Sequence, residues 1–302
     1  MSGDRRGALL MMGAMATFTL NDACIKLLAQ DLPTFQVVAL RGVAATALLL
    51  LLARATGATL RAIPRADRPR VGLRVAAEAA AFVPFVVALT HMPLAHVTAI
   101  LQALPLTIAA AGAMLLGERV GPRRWTAIAV GLAGVMLILR PGTEGFDAWS
   151  LLPVLAVLFI TAREVLTRGL SPATPGPAVA VLTAAAIGLT GLALSLFEPW
   201  RMPSAGQGVL ILTASVCILT AYLFSIAAVR VGALSAVAPF RYTAMVWGLL
   251  LGATLFGERP DATTLAGAAL IAGAGLYTLW RGDAVPTAEH RPMAPPVVPP
   301  EG

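Results

Sequence analysis

Ten apolar runs, each near the length needed to cross a lipid bilayer, take up most of this sequence, and they limit what the chain can become. A membrane-spanning helix needs about 20 such residues. The runs cover about 7–28, 34–53, 71–90, 94–116, 122–139, 149–167, 177–197, 207–228, 232–256 and 263–280. Most links between them are brief. Only 54–70 and 140–148 are longer, and neither can hold a soluble domain. Charged residues make up 12 % of the chain, against about 25 % in an ordinary soluble domain. With 58 % hydrophobic residues and a mean hydropathy of +0.82, such a chain could not clothe itself in water. The expected fold is an all-α membrane protein of ten transmembrane helices.

The net charge of +7 suggests nucleic acid until the charges are located. They lie in the links, so they read as membrane topology, and no nucleic-acid partner is expected. Lys and Arg are retained on the cytoplasmic side. With the N-terminus inside, fifteen cationic residues fall in inside segments, among them Arg5, Arg6, Arg70, Arg74, Arg123 and Arg168. Four fall outside (Lys26, Arg140, Arg201 and Arg259), and Arg41, Arg163 and Arg241 stay within spans. Both termini are therefore expected in the cytoplasm, in a membrane of the bacterial inner type. The first run is too long for a cleavable signal and lacks a small-x-small cleavage site. Cys24 and Cys217 form no metal or redox pattern.

An internal repeat organises the runs. Leu116-Gly117-Glu118-Arg119 ends one run and Phe256-Gly257-Glu258-Arg259 ends another, 140 positions later. Between Ala88 and Arg119 that offset gives nine identities in 32 positions without a gap, including Leu94/Leu234, Val97/Val237 and Gly112/Gly252. A duplication of five spans is the reading this supports. Five is odd, so the second copy must enter the membrane inverted, which is how many transporters are built. The expected units are residues 7–139, residues 149–280, and a Pro-rich cytoplasmic tail at 281–302 too polar to pack. The two G-E-R phrases then fall at opposite faces, in tight interfacial turns, and cannot form one site.

The order of these features resembles the drug/metabolite transporter superfamily in its ten-helix form with two EamA domains. The resemblance covers about residues 7–280. It rests on the G-E-R phrases, each followed by a Gly/Ala-rich last span (Gly131, Gly134; Gly267, Gly273, Gly275), on Arg41 early in span two, and on Ala238-Pro239-Phe240-Arg241-Tyr242-Thr243. It implies transport of a small molecule and leaves the substrate open among amino acids, nucleotide-like metabolites, vitamins and drugs.

Ionisable groups at membrane depth are costly and need a reason. Glu78 and Arg241 lie at similar depths from one face. They are expected to pair, or to hold a charged substrate together. Asn21, Asp22 and Arg41 form a second group toward the outer side, where Asp22–Arg41 contact is feasible. An offset of 142 carries Asn21-Asp22 onto Arg163-Glu164, near the opposite face. One polar pair near each face suits two alternating gates, and it suits anchored helix ends equally. Gln102 and Tyr242 share the 140 offset, and Pro105 predicts a kink in span four. Tyr222 and Trp247 could offer an aromatic surface. Gly248-x-x-x-Gly252 reads as a helix-packing contact. His91 and His96 lack a carboxylate or thiol partner, so no metal is expected. No Walker A loop and no hydrolase constellation is visible, so neither ATP, another cofactor nor an enzymatic activity is expected.

The preferred reading is a secondary transporter, exporting a small polar or amphipathic metabolite such as an amino acid by alternating access. Glu78, Gln102, Arg241, Tyr242 and Trp247 would bind substrate, and Asn21, Asp22, Arg41, Arg163 and Glu164 would gate or couple. Protonation of Glu78, with or without Asp22, is the candidate for proton coupling, and exchange without protons fits equally. Uptake of a nucleotide-like or vitamin substrate remains open, as does a non-transporting membrane structural or receptor protein. Partners are the bilayer and a small molecule, and the sequence leaves the oligomeric state open.

Overall fold

The structure is a computed structural model and describes residues 3–55, 57, 60–115, 121–140, 147–231 and 237–280. The first G-E-R phrase, residues 117–119, and the tail at 281–302 lie outside the described residues.

Continuous apolar sequence becomes helix here because a backbone removed from water must satisfy its own hydrogen bonds. The described residues form eleven α-helices and no strand. They are α1 (Gly3–Leu28), α2 (Thr34–Ala55), α3 (Arg68–His91), α4 (Leu94–Leu101), α5 (Leu104–Leu115), α6 (Pro122–Leu139), α7 (Leu151–Arg168), α8 (Gly176–Ser195), α9 (Ala205–Val231), α10 (Thr243–Phe256) and α11 (Ala262–Trp280). Three 3₁₀ turns, Leu60–Ala62, Ala148–Ser150 and Ala238–Tyr242, lie between them. Seven helical segments are long and apolar enough to cross a membrane, with Leu94–Leu115 taken as one, and Trp125–Leu139 and Ala262–Tyr277 are shorter apolar helices.

Prolines start several helices, because the first turn has no use for the missing N–H. Pro sits in the first turn of α3, α6 and α8. The kink expected in span four is a break. α4 ends at Leu101, Ala103 donates to the carbonyl of Ile100 in a tight turn, and α5 restarts with Pro105 in its first turn. Proline cannot complete the ladder across that point. In span nine the 3₁₀ turn Ala238–Tyr242 leads into α10. Buried hydroxyls are satisfied within their own helices, as Thr19, Thr98, Thr161 and Ser215 each donate to the carbonyl four residues earlier.

The helices pack in long pairs: α1 on α9, α2 on α8, α3 on α7 and α6 on α11, with α4 against α10. Two of these pairs cross through glycine. A Cβ on Gly42 would lie 2.3 Å from Cα of Gly188, and one on Gly134 would lie 2.7 Å from the carbonyl oxygen of Gly267. Small residues let helix backbones approach where lipid offers no hydrophobic drive for association. Gly248 faces Thr98 of α4 in the same manner. Large apolar side chains such as Val43, Leu51, Leu158, Leu189 and Leu212 point outward, as lipid-facing positions would.

Candidate functional site: buried polar clusters at the helix seams

Asp67 at the N-cap of α3 and Arg70, Arg74 and Glu78 within it recur at helical spacing and so share one face. That face meets α7 and the link after it. Asp67 accepts from the backbone N–H and hydroxyl of Ser171 and from the hydroxyl of Thr174, at 3.2, 2.7 and 2.6 Å. These bonds, Thr174 foremost, hold its carboxyl below the usual carboxylate range. Arg70 donates to the carbonyl of Gly169. Arg74 donates to Thr167 at 3.2 Å and to Thr183 at 2.6 Å. Deepest, Arg163 Nη1 spans both oxygens of Glu78 at 2.9 and 2.7 Å, while Arg74 Nη2 stands 3.5 Å from Glu78. Arg163 also pairs with its neighbour Glu164.

The expected Glu78–Arg241 pair is therefore corrected: the carboxylate of Glu78 belongs to Arg163 and Arg74. Similar depth along two spans does not fix which neighbour faces which. α7 lies directly on α3, whereas the turn holding Arg241 packs on α1 and α11. Arg241 is exposed.

A second cluster sits between α1 and α2. Arg41 is only 5 % exposed. Its Nη1 donates to Asn21 Oδ1 at 3.2 Å, and Asn21 Nδ2 donates to Asp22 Oδ1 at 2.9 Å. The anticipated Asp22–Arg41 contact is thus relayed through Asn21. The guanidinium lies over the Phe82 ring, 5.3 Å from its centroid. Its Nε is buried and has no hydrogen-bond partner among the described residues, as is true of Arg163 Nε.

Tyr222 of α9 stands edge-on to Phe18 of α1, with ring centroids 5.6 Å apart. Gln102 and Tyr242 each occupy a helix break and are 8 % and 6 % exposed. The Tyr242 hydroxyl packs where a Cβ on Gly275 would lie, and it has no partner among the described residues. Trp247 packs beside Met11, Ala14, Met15 and Ala244, so it contributes to an apolar cluster.

A third group escaped sequence reasoning. Lys26 Nζ donates to Glu258 Oε1 and to the carbonyl of Met92, both at 2.6 Å. Glu258 Oε1 also accepts the N–H of Leu94 at 2.8 Å, and Oε2 accepts that of Ala95 at 3.4 Å. The second G-E-R glutamate thus caps the start of α4, where a carboxylate is favoured by the helix dipole, and ties α1 to that start. The phrase is an inter-helix fastening, not only an interfacial turn. Its 140-residue repetition was the available signal. No cluster of three or more metal-ligating side chains occurs among the described residues.

Comparison with known proteins agrees with this architecture. Residues 5–140 match the EamA-like transporter family. A riboflavin transporter of Rhizobium johnstonii is 30 % identical over 195 residues, 65 % of this chain and 65 % of its own length. The chain thus spans about two thirds of that relative. The pseudopaline exporter CntI of Pseudomonas aeruginosa is 26 % identical over 269 residues, 88 % of this chain and 93 % of the exporter. An S-adenosylmethionine uptake transporter of Rickettsia prowazekii is 23 % identical over 202 residues, 67 % of this chain and 68 % of that protein. A chain of known crystal structure shares the fold with a TM-score of 0.65 at 22 % identity, covering 92 % of this chain and 97 % of that one. These relatives are transporters and not enzymes. An all-helical membrane architecture, a family match over residues 5–140 and similarity to carriers of small molecules point the same way: the chain is similar to the EamA-like transporter family.

Proposed function

We propose that this transporter exports a small polar or amphipathic metabolite, such as an amino acid, across a bacterial inner membrane by alternating access. The observation that carries the reading is the pair of buried polar clusters at different helix seams, Glu78 with Arg163 and Arg74 between α3 and α7, and Arg41 with Asn21 and Asp22 between α1 and α2. The helix pairing supports it. If residues 149–280 repeat 7–139, α1 corresponds to α7 and α3 to α9. The α1–α9 and α3–α7 pairs then exchange, while α2–α8, α4–α10 and α6–α11 map onto themselves. Two exchangeable seams around fixed self-paired contacts are what alternating access requires. The 140 offset also puts Gln102 on Tyr242, each at a helix break.

Export is favoured by the pseudopaline exporter, which aligns over 88 % of this chain. Uptake is the second reading, favoured by the higher identity to a riboflavin transporter over a shorter stretch. For proton coupling Asp22 is the better placed carboxylate. Asn21 bonds it, and no cation lies within salt-bridge distance among the described residues, whereas Glu78 is engaged by two guanidinium groups.

Counterflow in proteoliposomes tests this reading, with amino acids and riboflavin offered as labelled substrates. Arg41→Ala should abolish the exchange shown by the parent protein, and Asp22→Asn should retain exchange while flattening its dependence on a pH gradient. Exchange unaffected by Arg41→Ala would remove the cluster from the transport path.

A further inference from the structure

Beside the Lys26–Glu258 pair lies an open cavity of about 450 Å³, within the range of small-molecule sites. Met92, Pro93, Leu255 and Phe256 give it apolar walls, and Gln30 and His91 add polar ones. The pair is itself largely buried, with side chains 13 % and 10 % exposed. Its hydrogen bonding is incomplete. An ammonium has three donors, and Met92 and Glu258 take two of them. The ammonium also lies over Phe256, 4.9 Å from the ring centroid, a weaker contact that a carboxylate could replace. On Glu258, Oε1 accepts two hydrogen bonds and Oε2 one long one. A donor and an acceptor of opposite charge therefore remain side by side on a pair whose net charge is zero.

We propose that this cavity is a second ligand site, separate from the buried clusters, for a small amphipathic zwitterion. The ligand carboxylate would sit on Lys26, its ammonium on Glu258 Oε2, and its apolar part against Met92 and Phe256. Neutrality sets the class. A purely anionic or cationic ligand would leave one uncompensated charge beside a neutral pair that is itself largely buried, whereas a zwitterion matches both groups and adds none. The chemistry also accounts for the only lysine in a chain with 21 arginines. A compact ammonium can bond a carbonyl, a carboxylate and a ligand from one atom, and a planar guanidinium cannot. Because the pair links α1 to the start of α4, occupancy would be felt by both. The role of a loading site rests on the transport reading, but binding at the site does not.

The test places a thiol on the cavity rim. Cys24 and Cys217 are buried, so Gln30→Cys supplies the reactive one. Its alkylation rate is measured in purified full-length protein with L-leucine or L-phenylalanine, and with leucinamide and isocaproate as singly charged controls. Near-saturating amino acid should slow the reaction by about tenfold, since only the unliganded fraction reacts, and neither control should do so. Protection is read as the ratio of each variant's own rates without and with amino acid, and Lys26→Met and Glu258→Gln, each added to Gln30→Cys, should bring that ratio to one. No protection by either amino acid, or equal protection by a singly charged analogue, overturns the proposal. Protection without transport in proteoliposomes would overturn the transport reading and leave the site standing. Transport with an unprotected thiol would do the reverse.

Discussion

Glu78 shows how much a single buried charge depends on its partners. With Arg163 and Arg74 it forms part of a compensated group, and a buried ion left alone costs far more than the pair gains. Glu78→Gln should destabilise the protein by about 3–5 kcal/mol, the usual cost of breaking a buried pair from one side. Thermal unfolding in detergent would show it, and Glu78→Gln combined with Arg163→Gln should recover part of the loss. A single variant as stable as the parent would mean that Arg163 is solvated. Asp67 behaves differently, because its own hydrogen-bond partners cover it at the lip of the seam and it is not sunk in the core. Its folded carboxyl titrates below the ordinary value. Its stabilising contribution is therefore complete above about pH 4, the unfolded value, and is lost as pH falls through the folded one. Unfolding midpoints followed from pH 6 to about pH 3 should fall more steeply in the parent than in Asp67→Asn. Parallel curves would remove Asp67 from the account.

At the scale of helices, the two seams differ in chemistry. The α3–α7 seam closes through the ion pairs and hydroxyl bonds of Asp67, Arg74 and Glu78, and the α1–α9 seam closes largely through apolar contact. The α2–α8 crossing rests on shape instead. Gly188→Leu would drive a side chain into the backbone of Gly42 and should cost about 1–3 kcal/mol, as overpacking does. The lowered unfolding midpoint should be accompanied by unchanged salt dependence, because no ion pair is touched. Gly188→Ala should sit between the two.

For the whole molecule, the distribution of cations predicts which end lies in the cytoplasm, and the fold supplies thiol positions to test it. Ser204 lies exposed before α9, and Thr174 lies in the link before α8. In intact cells a membrane-impermeant maleimide should label Ser204→Cys and spare Thr174→Cys, since the native cysteines are buried. The opposite pattern would invert the topology.

Much of this organisation was legible in the chain. Outside runs four and nine, apolar run length set the helices to within a few residues. Pro105 marked the break in span four. Composition sufficed because a chain with so few charges has no folded form in water and no spanning form in lipid other than helices or a closed barrel. Tertiary structure decided which residues meet. Rotation of each helix about its axis, and the choice of α7 over the span-nine turn as neighbour of α3, come from packing, which apolar sequence barely encodes when lipid and helix interior are equally greasy. Hence Glu78 belongs to Arg163, Arg41 reaches Asp22 only through Asn21, and the repeated glutamate at 258 closes on Lys26 and the first turn of α4.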